Sequence, residues 1–87
     1  MTAENDEDRL KRLRIRSWRR GIKEMDLILG GWSDAHLRAL PAEDVALYDE
    51  LLAENDHDLY QWVTGQATAP DRFSGLIRRI ADEFAAL

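Results

Sequence analysis

Apolar residues recur along this chain at intervals of three and four. Nowhere do they alternate strictly with polar ones, so the pattern predicts helices and no half-buried strand. A first helix is expected from about Glu7 to Arg19, with Leu10, Leu13 and Ser17 on one narrow stripe and Asp6 or Asp8 near its positive N-terminal end. Gly21 then interrupts the pattern, as a C-terminal turn or as a point of close backbone approach. A second helix starts near Ile22 and gathers Ile22, Met25, Ile28, Leu29 and Trp32 into an arc of about 120°. Gly30-Gly31 weakens it by about 1 kcal/mol per glycine relative to alanine, and the pattern allows either a break there or continuation through Asp34 to Arg38.

Leu40-Pro41 closes that segment, because a residue before proline avoids helical angles and proline suits a first helical turn. The third helix, about Ala42 to Glu54, buries Val45, Tyr48, Leu51 and Leu52. Asn55 or Asp56 caps a short fourth helix carrying Leu59, Trp62 and Val63, which Gly65 stops. Pro70-Asp71 opens a fifth, on which Phe73, Leu76, Ile77, Ile80, Phe84 and Leu87 fall within about 100°. The fold expected is all-α: a compact five-helix bundle forming one small domain over residues 9–87, behind a flexible acidic lead over residues 1–8.

Composition agrees with a globular chain. Of 87 residues, 45% are apolar and 33% charged, richer in large apolar side chains than disorder allows. With no cysteine, a disulfide framework, thiolate zinc sites and thiol catalysis are excluded, and a reducing compartment is the natural home. The acidic start contrasts with the basic start of a secretory or mitochondrial targeting segment, so a cytoplasmic location is expected.

The net charge of −5 conceals an asymmetry. Eight of the twelve basic residues lie between Arg9 and Lys23 with no acid among them, while the rest of the chain holds all seventeen acids. Such a division suits steered docking onto a partner. On the first helix Arg9, Arg12, Arg16, Arg19 and Arg20 occupy an arc of about 100°. That stripe admits three readings: a solvated face, a surface whose guanidinium forks bind a partner's carboxylates, or a phosphate-binding face. An isoelectric point near 4.9 and an acidic remainder oppose the third.

Other candidates for chemistry are thin. Asn55-Asp56-His57-Asp58 mixes oxygen and imidazole ligands, but it lacks the glycine and glutamate of a calcium loop and reads as a helix cap. His36 is expected at the surface. Gly30-Gly31 lacks the strand and the glycine spacing of a nucleotide loop. The carboxylates Glu43, Asp44, Asp49, Glu50 and Glu54 read as a solvated face, without the burial that separates the pKa values of a catalytic pair.

The most specific stretch runs from Ser17 to Leu27 and contains Arg20-Gly21-x-x-Glu24 at the expected helix junction. Arg20 and Glu24 stand at i and i+4, able to pair with each other or to reach outward separately. This stretch resembles the R-G-x-x-E signature of the SdhE family, the FAD assembly factors of succinate dehydrogenase. Met25-Asp26-Leu27 follows where a Leu-Asp-Leu is common. Tyr48-Asp49-Glu50-Leu51-Leu52 and Asp56-His57-Asp58-Leu59-Tyr60-Gln61-Trp62 are similar to further family segments, and the likeness covers about Leu10 to Phe84.

The resemblance implies a five-helix fold and an assembly chaperone with no turnover of its own. It would bind the flavoprotein subunit of succinate dehydrogenase and, in some bacteria, that of fumarate reductase. There it would promote covalent attachment of FAD to a histidine of that subunit, a bond the flavoprotein forms itself. No cofactor, metal or nucleic acid would be held by this chain, since the FAD belongs to the partner, and a monomer is expected. Gly21 would lie at the closest contact, with Arg20 and Glu24 fixing orientation, Arg16, Arg19 and Lys23 steering the approach, and Asp26 on the same surface. The alternative is a nucleic-acid-binding or antitoxin-type regulatory protein.

Overall fold

A computed structural model describes residues 5–85. The described residues form five helices: α1 (Asp6–Trp18), α2 (Lys23–His36), α3 (Ala42–Leu51), α4 (Asp56–Thr64) and α5 (Asp71–Ala85), with a 3-10 turn over Leu37–Ala39. No strand occurs among the described residues, and none of their helices is long and apolar enough to cross a membrane. The expected acidic lead lies outside the described residues over 1–4. Of its remainder, Asp6–Asp8 are helical, because the extended Asn5 caps them, its side chain accepting from the Asp8 amide at 2.8 Å, and because the helix dipole favours the carboxylates of Asp6, Glu7 and Asp8 in the first turn of α1.

α1 and α2 form an antiparallel hairpin. Arg38 just beyond α2 meets Glu7 at the start of α1, Arg14 meets Asp34, and Trp18 covers Gly30. α2 is the central rod: Met25, Ile28, Leu29 and Trp32 are all buried, as are Leu13 of α1, Val45, Tyr48 and Leu51 of α3, Leu59 and Val63 of α4, and Phe73, Leu76, Ile77 and Ile80 of α5. The helix runs through Gly30-Gly31 without a break. Gly30 is buried there because it must be small: a Cβ built on it would fall 2.2 Å from the Trp18 ring.

Tyr48 ties three helices together. Its buried hydroxyl lies 2.6 Å from Ser17 Oγ of α1 and 3.4 Å from the Leu29 carbonyl of α2, while Ser17 Oγ lies 2.8 Å from the Leu13 carbonyl. Burial pushes the Tyr48 phenol up to about 12, against the smaller help that Ser17, Ser33, Arg20 and Arg16 give the phenolate. The folded state therefore keeps a proton that the unfolded chain releases above pH ~10, and stability falls as pH rises from about 10 to 12. A loss of about 2 kcal/mol over that interval is expected in chemical denaturation, and Tyr48→Phe should abolish most of it.

Several boundaries and burials differ from the sequence expectation. α3 stops at Leu51 rather than Glu54, because its last turn tightens, with Ala53 N–H bonding the Glu50 carbonyl and Glu54 N–H the Leu51 carbonyl. The end of α4, by contrast, is the one expected: Gly65 adopts φ +80 and lets the Gln66 amide reach back to the Gln61 carbonyl at 2.8 Å. Phe84, expected in the core, is 38% exposed, on the rim of a small cleft that it shares with Leu27, Ile28, Gly31 and Trp32 of α2. Leu87 lies outside the described residues. His36 is half-buried instead of a free surface residue: its ring stacks on Trp32 at 5.2 Å, and Nε2 lies 3.2 Å from the Glu83 carboxylate.

Candidate functional site at the corner between the first two helices

The turn from α1 to α2 is short and needs one glycine. Arg19 leaves helical angles at φ −122, Gly21 takes φ +94, and Ile22 is extended before α2 begins. A side chain at Gly21 would meet nothing within 4 Å, so the glycine is demanded by its backbone angle and not by crowding within the monomer. Its surface is open to a visitor. Asp26, one turn into α2, reaches back and accepts the Arg20 backbone N–H at 2.6 Å, which fixes the path of the turn.

Arg20 points inward. Its side chain, only 10% exposed, donates Nε to the Asp56 carboxylate at 2.7 Å, one terminal nitrogen to the Leu52 carbonyl and the other to the Glu54 carbonyl at 2.8 Å. Leu52 and Glu54 carry carbonyls left free where α3 ends, and Asp56 sits in the first turn of α4. One planar guanidinium thus satisfies the negative end of one helix and the first carboxylate of the next. Among the candidate residues Arg20 and Asp26 are consumed inside the fold. Their part in the site is to hold the corner in place, a correction to the reading in which Arg20 faces a partner. The Arg20–Glu24 pair left open by the i, i+4 spacing does not form.

Arg16 is also engaged. Its guanidinium lies 2.9 Å from Asp49 of α3, which Arg12 meets at 2.9 Å and Arg9 at 3.5 Å. The Arg12 hydrogen bond first, then the charges of Arg12, Arg16 and Arg9, hold the Asp49 carboxyl below its ordinary range. Three of the five arginines of the stripe therefore form an internal tie between α1 and α3, and Asp49 is no free member of a solvated acidic face. Because the native carboxyl is depressed, this cluster stabilises above pH ~4 and is lost as pH falls through the native value. Asp49→Asn should flatten the acid limb of the stability curve, read as the denaturation midpoint between pH 5 and about 2.5.

What remains outward at the corner is Arg19, Gly21, Lys23 and Glu24, all exposed. Lys23 and Glu24 make no side-chain hydrogen bond or ion pair among the described residues. Beside them opens a cleft of about 260 Å³ lined by Ile22, Glu24, Asp56, His57 and Tyr60. His57 and Tyr60 are absent from the partner-binding residues expected from the sequence, where Asn55-Asp56-His57-Asp58 read as a helix cap. Asn55 does cap α4, accepting the His57 amide at 2.8 Å, but the same turn carries the His57 and Tyr60 side chains to the wall of the cleft. The signal that links them to Gly21 is a 36-residue contact between Arg20 and Asp56, which no local pattern displays. A bare glycine backbone, one unpaired carboxylate and a cleft of mixed polar and apolar lining thus lie side by side on one exposed surface. No cluster of three or more metal ligands occurs among the described residues.

Comparison with known proteins now decides the family. The profile of the family Sdh5, described as the flavinator of succinate dehydrogenase, matches residues 11–84. The chain belongs to the Sdh5 family. It is 40% identical over 76 residues to the mitochondrial succinate dehydrogenase assembly factor 2 of Candida glabrata, covering 82% of this chain and 50% of that protein. It is 37% identical over 76 residues to assembly factor 2-B of Drosophila mojavensis, covering 85% of this chain and 48% of the relative. The match to the Drosophila melanogaster 2-B protein is 37% over 79 residues, 88% and 51%. The chain spans about half the length of these curated relatives. Arg20, Gly21 and Glu24 fall within the Sdh5 match, as do α2, α3 and α4 in full, all but the last residue of α5, and α1 from Lys11 onward.

Proposed function

We propose that this Sdh5-family chain is an assembly factor, not an enzyme: it binds the flavoprotein subunit of succinate dehydrogenase at the α1–α2 corner and promotes covalent attachment of FAD there. The observation that carries the reading is the exposed Gly21–Glu24 corner, locked from behind by Arg20, in a member of a family described as flavinators. A factor of this kind acts by binding one conformer of its client better than the others, which raises the population in which the receiving side chain is placed against the flavin. A small charged surface of this size suits a partner that must later leave.

FAD stays with the flavoprotein in this reading. The cleft beside Gly21 is lined by the unpaired Glu24 carboxylate and by no lysine or arginine, which disfavours a pyrophosphate, and equilibrium dialysis of the isolated chain against FAD should detect no tight binding. A monomer in the cytoplasm, serving fumarate reductase as a second client where the host has one, completes the proposal. The absence of cysteine suits that compartment.

Deleting the chain from its host should remove covalent flavin from succinate dehydrogenase, read as in-gel fluorescence of the denatured flavoprotein. Gly21→Arg should abolish restoration of that signal while helical circular dichroism is kept. Gly21→Ala, which carries the same backbone strain of about 1–2 kcal/mol without the bulk, should restore it in part. Glu24→Ala should weaken co-purification with the flavoprotein by about tenfold, the size expected when a charge-assisted bond to a partner is lost. Unfolding of Gly21→Arg, or undiminished co-purification of Glu24→Ala, would remove the corner from the interface.

A further inference from the structure

Packing leaves one face of α1 unexplained. Leu13 and Ser17 turn to the core, and Arg9, Arg12 and Arg16 turn to Asp49. Ile15 and Trp18, 46% and 40% exposed, stand on a third face with Lys11, Arg14 and Arg19, and the five residues line one shallow depression of about 320 Å³. Trp18 is not loose there. Its ring lies against Gly30, its indole N–H donates to one Asp34 oxygen at 3.1 Å, and Arg14 Nε donates to the other at 3.0 Å. A large aromatic held in one orientation beside arginines has the make-up of a binding hot spot, and it loses little further freedom when covered.

The charge around it selects the visitor. Lys11, Arg14 and Arg19 line the depression with no acid among them; of the carboxylates beside Lys11 and Arg14, Asp34 is already bonded to Arg14 and Trp18, Glu7 is paired with Arg38 at 2.9 Å, and Asp8 sits in the first turn of α1. The patch is thus positive on a chain of net charge −5, so a nucleic-acid backbone would meet repulsion from the surrounding acids. A short acidic polypeptide segment meets only the patch. The face also runs through Arg19 into the turn at Gly21, so one partner can cover both.

We propose that Ile15 and Trp18, rimmed by Lys11, Arg14 and Arg19, form a second docking surface for an acidic segment of the flavoprotein that carries an apolar side chain at its centre. This rests on the reading that the flavoprotein is the partner. The apolar side chain sits between Ile15 and the Trp18 ring, and flanking carboxylates meet Lys11 and Arg19.

The test titrates the full chain against the purified flavoprotein subunit and follows both rate constants at several salt concentrations. Ile15→Glu places a negative charge at the centre of the surface and should weaken binding at least about tenfold, mainly through faster dissociation. Lys11→Glu should slow association several-fold at low salt, with the difference fading as salt rises. Both side chains are exposed, so the melting temperature should stay within a few degrees, which separates binding from folding. Wild-type binding with both variants equally tight would overturn this surface and leave the corner standing. No binding by the wild-type chain would overturn the flavoprotein reading and this one together. A dimer in sedimentation velocity that Ile15→Glu dissolves would assign the face to a second copy of the chain and overturn the proposal.

Discussion

Arg20→Met should lower unfolding stability by about 3 kcal/mol, and the melting temperature by about 15 °C, in a domain whose whole margin is about 5–10 kcal/mol. The methionine keeps much of the apolar stem but leaves the Leu52 and Glu54 carbonyls and the Asp56 carboxylate without their donor in a place that water barely reaches. Arg20→Lys should recover little, because one ammonium cannot span three acceptors arranged around a planar fork. Urea denaturation of Arg20→Met, Asp56→Asn and the double variant would give the coupling directly, expected above about 1 kcal/mol. A loss under about 1 kcal/mol for the single variant would show that solvent substitutes for the guanidinium. At temperatures where it stays folded, the variant should still lose flavoprotein affinity, since the start of α4, with His57 and Tyr60, is no longer held against the corner.

Gly30→Ala should destabilise by about 2 kcal/mol although alanine is the better helix former by about 1 kcal/mol. The added methyl would enter the Trp18 ring, with three ring atoms between 2.2 and 2.6 Å away, so the indole must leave its seat and give up its bond to Asp34. Gly31 is the built-in control. It is exposed, nothing lies within 4 Å of its Cβ position, and Gly31→Ala should stabilise by about 0.5–1 kcal/mol. Two adjacent glycines in one helix thus give opposite signs in a thermal melt. Adding Trp18→Ala to Gly30→Ala should relieve the clash, with a coupling of about 1 kcal/mol or more between the two sites. Equal shifts for the two single glycine variants would mean that the indole moves aside freely.

The same glycine pair shows where the sequence was readable and where it was not. The helical period, the proline and glycine stops and the asparagine cap are local signals, and they place both ends of α1 and α4 and the starts of α2 and α5 within a residue or two of those observed, while the end of α2 stays open. The fate of Gly30 depends on a ring twelve residues away that folds back over it, which propensity does not encode. The corner motif was equally plain as a pattern, and Gly21 sits open as the pattern suggests. The split of its charges was not plain. Whether Arg20, Arg16 or Asp26 faces solvent is settled by what α3 and the start of α4 bring opposite them, and those partners lie beyond any helical repeat. Lys23 and Glu24 stay exposed because nothing arrives to claim them among the described residues.

The seating of Trp18 has a practical corollary. Of the three indoles, Trp32 is enclosed and Trp62 half covered, while Trp18 keeps one face in water with a carboxylate at its nitrogen. Its emission should dominate the long-wavelength edge of the spectrum. Any client covering the outer side of α1 should move that edge to shorter wavelength, so the molecule carries an intrinsic optical gauge of its own occupancy and needs no attached dye.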